Sequence, residues 1–478
     1  MGLVTPVDPV PVADLGRVHF IAIGGAGMSG IARIMLARGI AVSGSDSADT
    51  PLLAELAAAG ARVFVGHDAA NLGDADTVVV STAIRPDNPE LMEARRRGLR
   101  VLHRAAALAS VALGRQSIAV AGTHGKTTTT SMITTVLRHS GADPSYVIGG
   151  ILAETGLGAA EGSGEAFVIE ADESDGSFLM LAPQAAVVTC VEADHLDNYG
   201  SLAEIERAFA VFAGKLPAGG LLVACADDPG ALALTGQVGA GVTALTYGTR
   251  QEASYRISDI EPRGMSTRFT VTGAPGTAVA ASGPLRLEIA IPGRHYALNA
   301  TAALALTVEL GVPPAAAVAG LAAYRGARRR MELKGEADGV QVVDSYAHHP
   351  TELAADLDAA RDVVAGGRLI AIFQPHLFSR TRIFAAEFGA ALGRADEALV
   401  MDIYAAREDP EPGVTGRLVA DAVPGGRAHF VPDRAAVPVI AAGLAKPGDL
   451  ILTMGAGDVT ELGPQVLEAL AERAGDGG

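Results

Sequence analysis

Apolar residues along the chain occur in short β-rich runs that alternate with longer segments of helical spacing. The run RVHFIAI at 17–23 leads into a cluster of glycines, and MSGIARIMLARG follows it with apolar residues every three or four positions. AVSGSD and ADTVVVSTAI predict two more strands in the same part of the chain. This alternation predicts repeated strand–loop–helix units.

The same rhythm begins again at SIAVAG, near residue 117, after the short segment LGRQ, and a third time after YRGARRR. The third segment contains VQVVDSYAHHPTELAADL, LIAIFQPHLFSRTRIFAAEFGAAL, ALVMDIY and LILTMGAGD. We therefore predict an α/β protein of three domains, with boundaries at 1–114, 115–325 and 326–478. The outer two are expected to be Rossmann-like and the central one to have a mixed or parallel sheet, with functional loops at the carboxyl ends of parallel strands.

Length and composition narrow the class of protein. The 478 residues favour two to four domains, and 49% hydrophobic with 19% charged residues excludes a disordered chain. A net charge of −17 argues against non-specific binding to nucleic acid or to an anionic membrane. Any anionic ligand must therefore be held by local devices such as loop amides, helix N-termini, arginines and Mg²⁺.

Cysteine content and the chain's start bear on its location. Cys190 and Cys225 are too few for a disulfide framework or a four-cysteine zinc site. We find no signal-peptide pattern and no charge-poor run that suggests membrane insertion. We therefore expect a cytoplasmic protein, either a monomer or a homodimer.

The first glycine-rich loop fits G-x-G-x-x-G between a predicted strand and a predicted helix, and Asp46 lies about 20 residues further on, where a ribose-binding acid is expected. This pattern specifies only a pyrophosphate at a helix N-terminus, so NAD, UDP or a turn without a ligand all remain open. The residues expected at this site are Gly24, Gly25, Ala26, Gly27, Met28, Ser29, Gly30 and Asp46.

The second loop, VAGTHGKTTTT at 120–130, has a different pattern. Its amides can form an anion nest, with Lys126 reaching the β- and γ-phosphates of ATP and the Thr127 hydroxyl binding Mg²⁺. Val120 stands where the usual P-loop has its first glycine, so the loop is a shorter variant. The central domain is therefore predicted to be a P-loop-type ATPase. The residues expected to bind ATP here are Gly122, Thr123, His124, Gly125, Lys126, Thr127 and Thr128.

The motifs together resemble one family. GTHGKTTTT resembles the ATP loop of the Mur ligase superfamily, and IGGAGMSG, EADESD, EADHLDNY, LNATAA, DSYAHHPTE, FQPH and MGAGD follow in that family's order from about residue 17 to about 460. They are most similar to the branch that joins L-alanine to UDP-N-acetylmuramate. The resemblance implies three domains that bind the UDP-sugar, ATP and the amino acid.

The resemblance also implies roles in metal and sugar-nucleotide binding. Glu170, in FVIEADESD, would bind Mg²⁺, and His195, in a second segment read as a strand ending at Asp194-His195, would help to hold a second ion. An alternative for Asp172 and Asp175 is an acidic, solvated loop. The UDP-sugar site would include His67, Ser81 and Thr82 as well.

Roles in the later part of the chain are implied in the same way. Asn299 would read the adenine, Asp344 would bind the ATP ribose, and Arg330 would reach the γ-phosphate as a catalytic residue beside Lys126, Glu170 and His195. Asn299 lies in a stretch that precedes a helix in the family. We interpret the neighbours Arg328 and Arg329 as a solvated hinge.

The amino-acid site is expected in two strand-to-helix loops that can face one cleft. The resemblance implies that Tyr346, His348, His376 and Arg380 bind the amino acid, with Arg380 gripping its carboxylate. The chain departs from the family pattern at Tyr296, Ser345 and Leu377, where Asn, Asp and Arg are more usual. It also has no lysine at the position, near Ala210, where sister ligases carry a carbamoylated one.

The activity implied is an ATP-dependent amide ligase that works through an acyl phosphate. Three alternatives remain open: a ligase that attaches a tripeptide to the same sugar nucleotide, a nicotinamide dehydrogenase, and a non-catalytic nucleotide-binding regulator. The dehydrogenase explains residues 21–46 but not Lys126 or the acids after it. The regulator does not require Glu170, His195 and Arg330 together.

Overall fold

The structure is a computed structural model and describes residues 3–364, 366–406 and 408–476; the side chains of Ala26, Asp197 and Asp476 lie outside the described part. Its strands form three sheets of five, ten and six strands. Contacts divide the chain into two units: Met1–Ser258 with Thr270–Leu287 and Leu298–Tyr324, and Asp259–Phe269 with Glu288–Ala297 and Arg325–Gly478. The three-part α/β architecture predicted from the sequence is confirmed.

The N-terminal sheet is parallel, in the order β3-β2-β1-β4-β5. All four residues of the central strand β1 are buried, as expected for a strand that is covered on both faces. The strand order reverses between β1 and β4, and the glycine loop follows β1 at this switch point. The elements are β1 Val18–Ile21, α1 Ala26–Ala37, β2 Val42–Asp46, α2 Pro51–Ala58, β3 Arg62–Val65, β4 Thr77–Val80, α3 Pro89–Arg96, β5 Arg100–His103 and α4 Arg104–Ala112.

The ten-stranded sheet is mixed, in the order β15-β14-β13-β12-β11-β10-β6-β9-β7-β8, with β8 antiparallel to β7. Strand β6 lies between β9 and β10 and pairs parallel with both. Its elements are β6 Gln116–Ala121, α5 Lys126–His139, β7 Ser145–Leu152, β8 Leu157–Ala160, β9 Ala166–Glu170, β10 Ala185–Val188, α6 Leu196–Tyr199, α7 Leu202–Ala213, β11 Leu221–Cys225, α8 Pro229–Ala233, β12 Thr243–Gly248, β13 Tyr255–Arg263, β14 Ser266–Gly273, β15 Leu285–Ile289, α9 Arg294–Glu309 and α10 Pro314–Ala323.

Two boundaries differ from the sequence-based expectation. Strand β10 ends at Val188, so His195 lies in a loop rather than at the end of a strand, and the predicted strand was too long. Helix α9 begins at Arg294, so Asn299 lies inside the helix and not before it. Both errors arise because the sequence pattern continues past the residue at which the backbone hydrogen bonding changes. Apolar residues extend the pattern beyond the end of β10, and a family-like motif continues past the start of α9.

The six-stranded sheet has the order β16-β17-β21-β18-β19-β20 and is parallel except for β16. Strand β21 pairs with both β17 and β18, which brings the loops after these two strands to one edge of the sheet. The elements are β16 Glu332–Ala337, β17 Val340–Ser345, α11 Pro350–Val364, β18 Leu369–Phe373, α12 Phe378–Leu392, β19 Glu397–Val400, α13 Arg417–Ala422, β20 Ala428–Phe430, α14 Val437–Leu444, β21 Leu450–Met454 and α15 Leu462–Asp476. Among the helices described, none combines the length and apolar character needed to cross a bilayer.

Candidate active site

The loop between β6 and α5 depends on glycine at two positions. Gly122 has φ +136°, and a Cβ atom there would lie 2.0 Å from the Thr189 hydroxyl. Gly125 has φ +81° and precedes the first residue of α5. Because only glycine tolerates both the positive φ and the close approach, the amides of this loop can converge at the helix N-terminus.

Lys126 is the first residue of α5, and its ammonium group points back over the loop. Its Nζ donates to the carbonyls of Gly122 at 2.6 Å and Thr123 at 3.1 Å, and to Oε1 of Glu173 at 2.8 Å. Burial alone would lower the pKa of Lys126, but nearby carboxylates, Glu173 first among them, outweigh burial and raise it. The lysine therefore carries its positive charge at any physiological pH.

The run of four threonines divides by role. The Thr127 hydroxyl donates to Oε1 of Glu170 at 2.9 Å, whereas the Thr130 hydroxyl donates to the carbonyl of Lys126, one helical turn back. Thr128 and Thr129 are buried in the helix packing. Of the four hydroxyls, only that of Thr127 meets an acidic side chain in the contacts described.

The pair of Thr127 and Glu170 fits a hard divalent cation. Glu170 ends β9, next to β6, and its other carboxylate oxygen accepts a 2.6 Å hydrogen bond from the amide of Gly149. A hydroxyl and a carboxylate beside a phosphate-binding loop are the oxygen donors that Mg²⁺ prefers. The donor set therefore supports Thr127 and Glu170 as metal ligands.

His195 lies with acidic groups, although not at a strand end. It has φ +53° immediately before α6, and its Nε2 lies 3.5 Å from Asp194 and 3.9 Å from Glu173. Burial raises the pKa of the Glu173 carboxyl to about 7 despite the attraction of Lys126. Glu173 thus joins the loop lysine to the predicted metal-binding histidine, whose role stays a prediction.

The two acids after β9, Asp172 and Asp175, differ in exposure and both lie near basic side chains. Asp172 accepts a 2.6 Å hydrogen bond from Arg104, and burial of Asp172 is outweighed by Arg104 and Lys126, which lower its pKa. Asp175 is only 6% exposed and lies 3.7 Å from the His103 ring. The alternative of a solvated acidic loop therefore does not hold for Asp175, whereas it stays open for Asp172, whose side chain is 36% exposed. No local pattern marks Arg104, which begins an alanine-rich helix and which the sequence analysis missed.

The first glycine loop is closed by the predicted ribose acid. The amide of Gly24 donates to Oδ2 of Asp46 at 2.9 Å, and a Cβ at Gly27 would lie 3.3 Å from Nη1 of Arg104. A Cβ at Gly30 would lie 3.0 Å from the Cβ of Ala159 in β8. Arg104 therefore lies between Gly27, in the first turn of α1, and Asp172, after β9.

Three further residues predicted to bind the sugar nucleotide lie at the same sheet edge. His67 follows β3, and its Nδ1 lies 2.9 Å from the Ser45 hydroxyl. Ser81 and Thr82 follow β4 in a turn, Ser81 half-buried and Thr82 exposed. Met28 and Ser29 are buried in the first turn of α1, and their backbone amides both donate to the carbonyl of Gly25 at 2.9 Å, so ligand contacts by these two stay a prediction.

Asn299 lies against the ATP loop. It is 7% exposed, and a Cβ at Gly125 would lie 2.8 Å from its Oδ1. This position supports a nucleotide-site role, while adenine recognition stays a prediction. The departure at Tyr296 also has a structural outcome: its hydroxyl donates to Asp356 at 3.3 Å, which the nearby His295 ring approaches to 3.0 Å.

In the second unit, Asp344 is fully buried and saturated with donors. It accepts hydrogen bonds from Thr453 at 2.6 Å, Thr460 at 2.7 Å and the Nε of Arg329 at 3.2 Å. Arg329 has φ +62° and also donates to the carbonyls of Gly455 and Gly457. Arg329 is thus an internal anchor and not part of a solvated hinge, whereas Arg328 is exposed. Ribose binding by Asp344 stays a prediction.

The residues predicted to bind the amino acid lie on two neighbouring loops. The ring of His348 is 5.3 Å from Tyr346 and 6.0 Å from His376, and the Arg330 guanidinium lies 5.4 Å from the Tyr346 ring. Arg380, in the first turn of α12, is 7% exposed. The structure adds Tyr404, whose ring stacks on His376 at 5.9 Å.

Three family models match the chain in the order of its sheets. The model described as Mur ligase family, catalytic domain, matches residues 17–116, the Mur ligase middle domain matches 120–307, and the glutamate ligase domain of Mur ligases matches 329–457. The chain belongs to the Mur ligase family.

Within that family, curated relatives that are similar to this chain over nearly its full length include two UDP-N-acetylmuramate–L-alanine ligases. A UDP-N-acetylmuramate–L-alanine ligase of Thermobifida fusca is 57% identical, and the alignment covers 98% of this chain and 100% of the relative. A UDP-N-acetylmuramate–L-alanine ligase of Kineococcus radiotolerans is 56% identical, and the alignment covers 97% of this chain and 98% of the relative. Among solved structures, a UDP-N-acetylmuramate–alanine ligase of Thermotoga maritima is 29% identical with a TM-score of 0.79, covering 97% of this chain and 100% of that one. A murein peptide ligase of Psychrobacter arcticus is 26% identical with a TM-score of 0.70, over 95% and 99%.

Proposed function

We propose that the chain is an ATP-dependent ligase that joins L-alanine to the lactoyl carboxylate of UDP-N-acetylmuramate, releasing ADP and phosphate, in the synthesis of peptidoglycan precursors. The observation that carries the proposal is the link between the two glycine loops. The second loop and the start of α5 present Lys126 and the pair of Thr127 and Glu170, and Arg104, which pairs with Asp172 beside them, lies next to Gly27 at the start of α1. A ligase that activates a sugar-nucleotide carboxylate with ATP needs two phosphate sites held at a fixed distance.

We infer the substrates from the names of the relatives. The glycine loop at 24–30 specifies a pyrophosphate and no particular base, and UDP-N-acetylmuramate carries one. UDP rather than NAD is therefore proposed as its ligand, with Asp46 and His67 at the nucleoside. We also propose that the reaction takes place in the cytoplasm.

In the first step, a carboxylate oxygen of the lactoyl group attacks the γ-phosphorus of ATP, the bond to the β-phosphate oxygen breaks, and ADP leaves. The loop amides and Lys126 bind the phosphates and stabilise the charge that spreads over the transferring group. Thr127 and Glu170, and by resemblance His195, would hold Mg²⁺, which neutralises phosphate charge when it is bound. Arg330 is proposed to act on the same group.

In the second step, the uncharged amine of L-alanine attacks the acyl carbon, phosphate leaves with the bonding electrons of the C–O bond, and the nitrogen loses a proton. Arg380 is proposed to bind the alanine carboxylate, because a guanidinium matches a carboxylate in a two-bond geometry. His348 and His376 line the neighbouring loops and complete the proposed amino-acid site with Tyr346.

The experiment is phosphate release with ATP, UDP-N-acetylmuramate and one amino acid at a time. L-Alanine should give the largest kcat/KM, and omission of any one substrate should abolish release. A tripeptide ending in a diamino acid tests the recycling alternative in the same assay. Release that requires the tripeptide and ignores L-alanine would contradict the proposal.

A further inference from the structure

The N-terminal domain buries a carboxylate beside its predicted nucleotide site. Glu90, in the first turn of α3, has no exposed surface. Its Oε2 accepts a 2.6 Å hydrogen bond from the Ser45 hydroxyl, and its Oε1 accepts one of 2.7 Å from the amide of Asn71. The Nε2 of His19 lies 3.5 Å away. A buried carboxylate is costly unless hydrogen bonds compensate for the lost water, and Glu90 has such partners in Ser45 and Asn71.

The ionisation of Glu90 fixes the direction of one hydrogen bond. Burial would raise the pKa of this carboxyl, but the nearby His19 ring and hydrogen bonds from Ser45 and Asn71 outweigh burial and lower it. An ionised carboxylate only accepts hydrogen bonds, and a serine hydroxyl has a single hydrogen to donate. Ser45 gives that hydrogen to Glu90, so its oxygen must accept from its other partner.

That other partner is His67. Its Nδ1 lies 2.9 Å from the Ser45 oxygen and 3.5 Å from Oε2 of Glu90. Nδ1 must therefore carry the hydrogen, and in a neutral imidazole Nε2 is then an acceptor. Unlike Glu90, the His67 side chain is 23% exposed, so the ring connects the buried carboxylate to the surface.

His67 is also tied to the glycine loop. Gly66 donates its amide to the carbonyl of Asp46 at 2.7 Å, and the Asp46 carboxylate accepts from Gly24. The loop after β3 and the loop after β1 thus share Asp46 at the carboxyl edge of the sheet, where ligands of such folds bind. This places the exposed part of the His67 ring at the predicted nucleoside end of the site.

We propose that Glu90 is a positioning residue for sugar-nucleotide binding: acting through Ser45, it holds His67 in the Nδ1–H form so that Nε2 accepts a hydrogen bond from an N–H or O–H group of the uridine. The inference rests on the proposed function, because it takes the ligand of this domain to be a uridine nucleotide. The donor is a ribose hydroxyl or the imide N–H of the base.

The substitution Glu90→Gln tests the series of hydrogen bonds from His67 through Ser45 to Glu90, because it reverses the direction of each bond. With the amide oxygen accepting from Asn71, the new NH₂ group donates to the Ser45 oxygen, and Ser45 donates to Nδ1 of His67. The ring then carries its hydrogen on Nε2 and offers the uridine a donor in place of an acceptor. Simple loss of packing would not change which nitrogen carries the hydrogen.

Two measurements on the full chain are decisive. ¹⁵N NMR of the histidine rings at pH 8, where a free imidazole is neutral, should show His67 as the Nδ1–H form in the wild type and as the Nε2–H form in E90Q. Calorimetric titration with UDP should show about 3- to 10-fold weaker binding by E90Q, the value of one hydrogen bond. The same titration with 2′,3′-dideoxy-UDP identifies the donor: the penalty disappears if the ribose donates and persists if the base does.

Glu93→Gln is the matched control, because Glu93 lies on the same helix and bonds only to Arg96 in the contacts described. It should bind UDP like the wild type. If E90Q does not fold, Ser45→Ala provides a second test. It keeps the rings of His19 and His67 and the Glu90 carboxylate but removes the hydroxyl that joins Glu90 to His67, and it should weaken UDP binding by a similar factor. Failure of the wild type to bind UDP would contradict the proposed function. Normal wild-type binding with unchanged affinity in folded E90Q, or an Nε2–H ring in the wild type, would overturn only the role of Glu90.

Discussion

The ammonium group of Lys126 lies 2.8 Å from the carboxylate of Glu173, and the two side chains are 15% and 3% exposed, respectively. Lys126 is the first residue of α5, the helix that follows β6, and Glu173 follows β9, which pairs with β6 in the sheet. An anionic phosphate that approaches this loop therefore meets a lysine that is already positively charged, because Glu173, Asp172 and Glu170 raise its pKa. Binding must exchange one anionic partner of Lys126 for another.

Lys126→Ala should lower kcat by at least about 100-fold, because one preorganised charge on the transferring phosphoryl group is lost. UDP-sugar binding should change by less than about tenfold, or 1.4 kcal/mol, since the UDP loop is built on a different sheet. Steady-state kinetics and calorimetric titration with UDP-N-acetylmuramate measure the two effects.

The exposed Lys215→Ala is the control for this change and should have wild-type kinetics. Because Lys126→Ala leaves Glu173 buried without its lysine, the double variant Lys126→Ala/Glu173→Gln provides a second protein for the titration. A loss of UDP-sugar affinity greater than tenfold in either folded variant would refute separate sites.

Glu170→Gln should raise the Mg²⁺ concentration needed for half-maximal activity by at least about tenfold, since loss of even an indirect partner of a metal costs about 10–100-fold. The amide keeps the size of the side chain and its bond to Gly149 but removes the charge. Activity measured over a range of Mg²⁺ concentrations gives the shift, with the exposed Glu165→Gln as the control. Equal Mg²⁺ dependence in the two variants would show that Glu170 is not a ligand.

Gly122→Ala should abolish ATP turnover and cost about 3 kcal/mol or more of unfolding free energy. A positive φ alone costs about 1–3 kcal/mol for a residue with a Cβ, and here the Cβ also collides with Thr189. Gly114→Ala is the control, because Gly114 has φ +76° but no heavy atom within 4 Å of its Cβ position. Urea unfolding should show the larger loss at Gly122; equal losses would mean that the collision is relieved without cost.

Arg380→Ala should raise the KM for L-alanine roughly 10- to 150-fold, the effect of losing a charge-assisted hydrogen bond worth about 1.5–3 kcal/mol. The KM values for ATP and the sugar nucleotide should change little. Arg382→Ala, two residues along the same helix with a side chain that is 53% exposed, is the control. A rise in the KM for ATP instead would assign Arg380 to the nucleotide and leave Tyr346 and His348 as the alanine site.

Much of the fold follows from local patterns. A β-rich run, a glycine-rich turn and a helical repeat predict a strand–loop–helix unit wherever they occur in sequence, and both the turn before α1 and the loop at 122–125 lie where this pattern places them. The pattern fails where the local sequence fits more than one structure. Strand β10 ends at Val188, well before the end of the apolar and acidic segment that was predicted to continue it to His195.

The sequence by itself therefore determined the three α/β segments, the two phosphate loops and the identity of Lys126, because backbone conformation and helical periodicity depend on near neighbours. Only the tertiary structure decided which side chain each carboxylate contacts. Arg104 and Asp172 are 68 positions apart, and Ser45 and Glu90 are 45 apart. Such pairs form when sheet order and loop packing bring distant segments together, and burial then makes each unpaired charge too costly to keep. No local pattern records that choice.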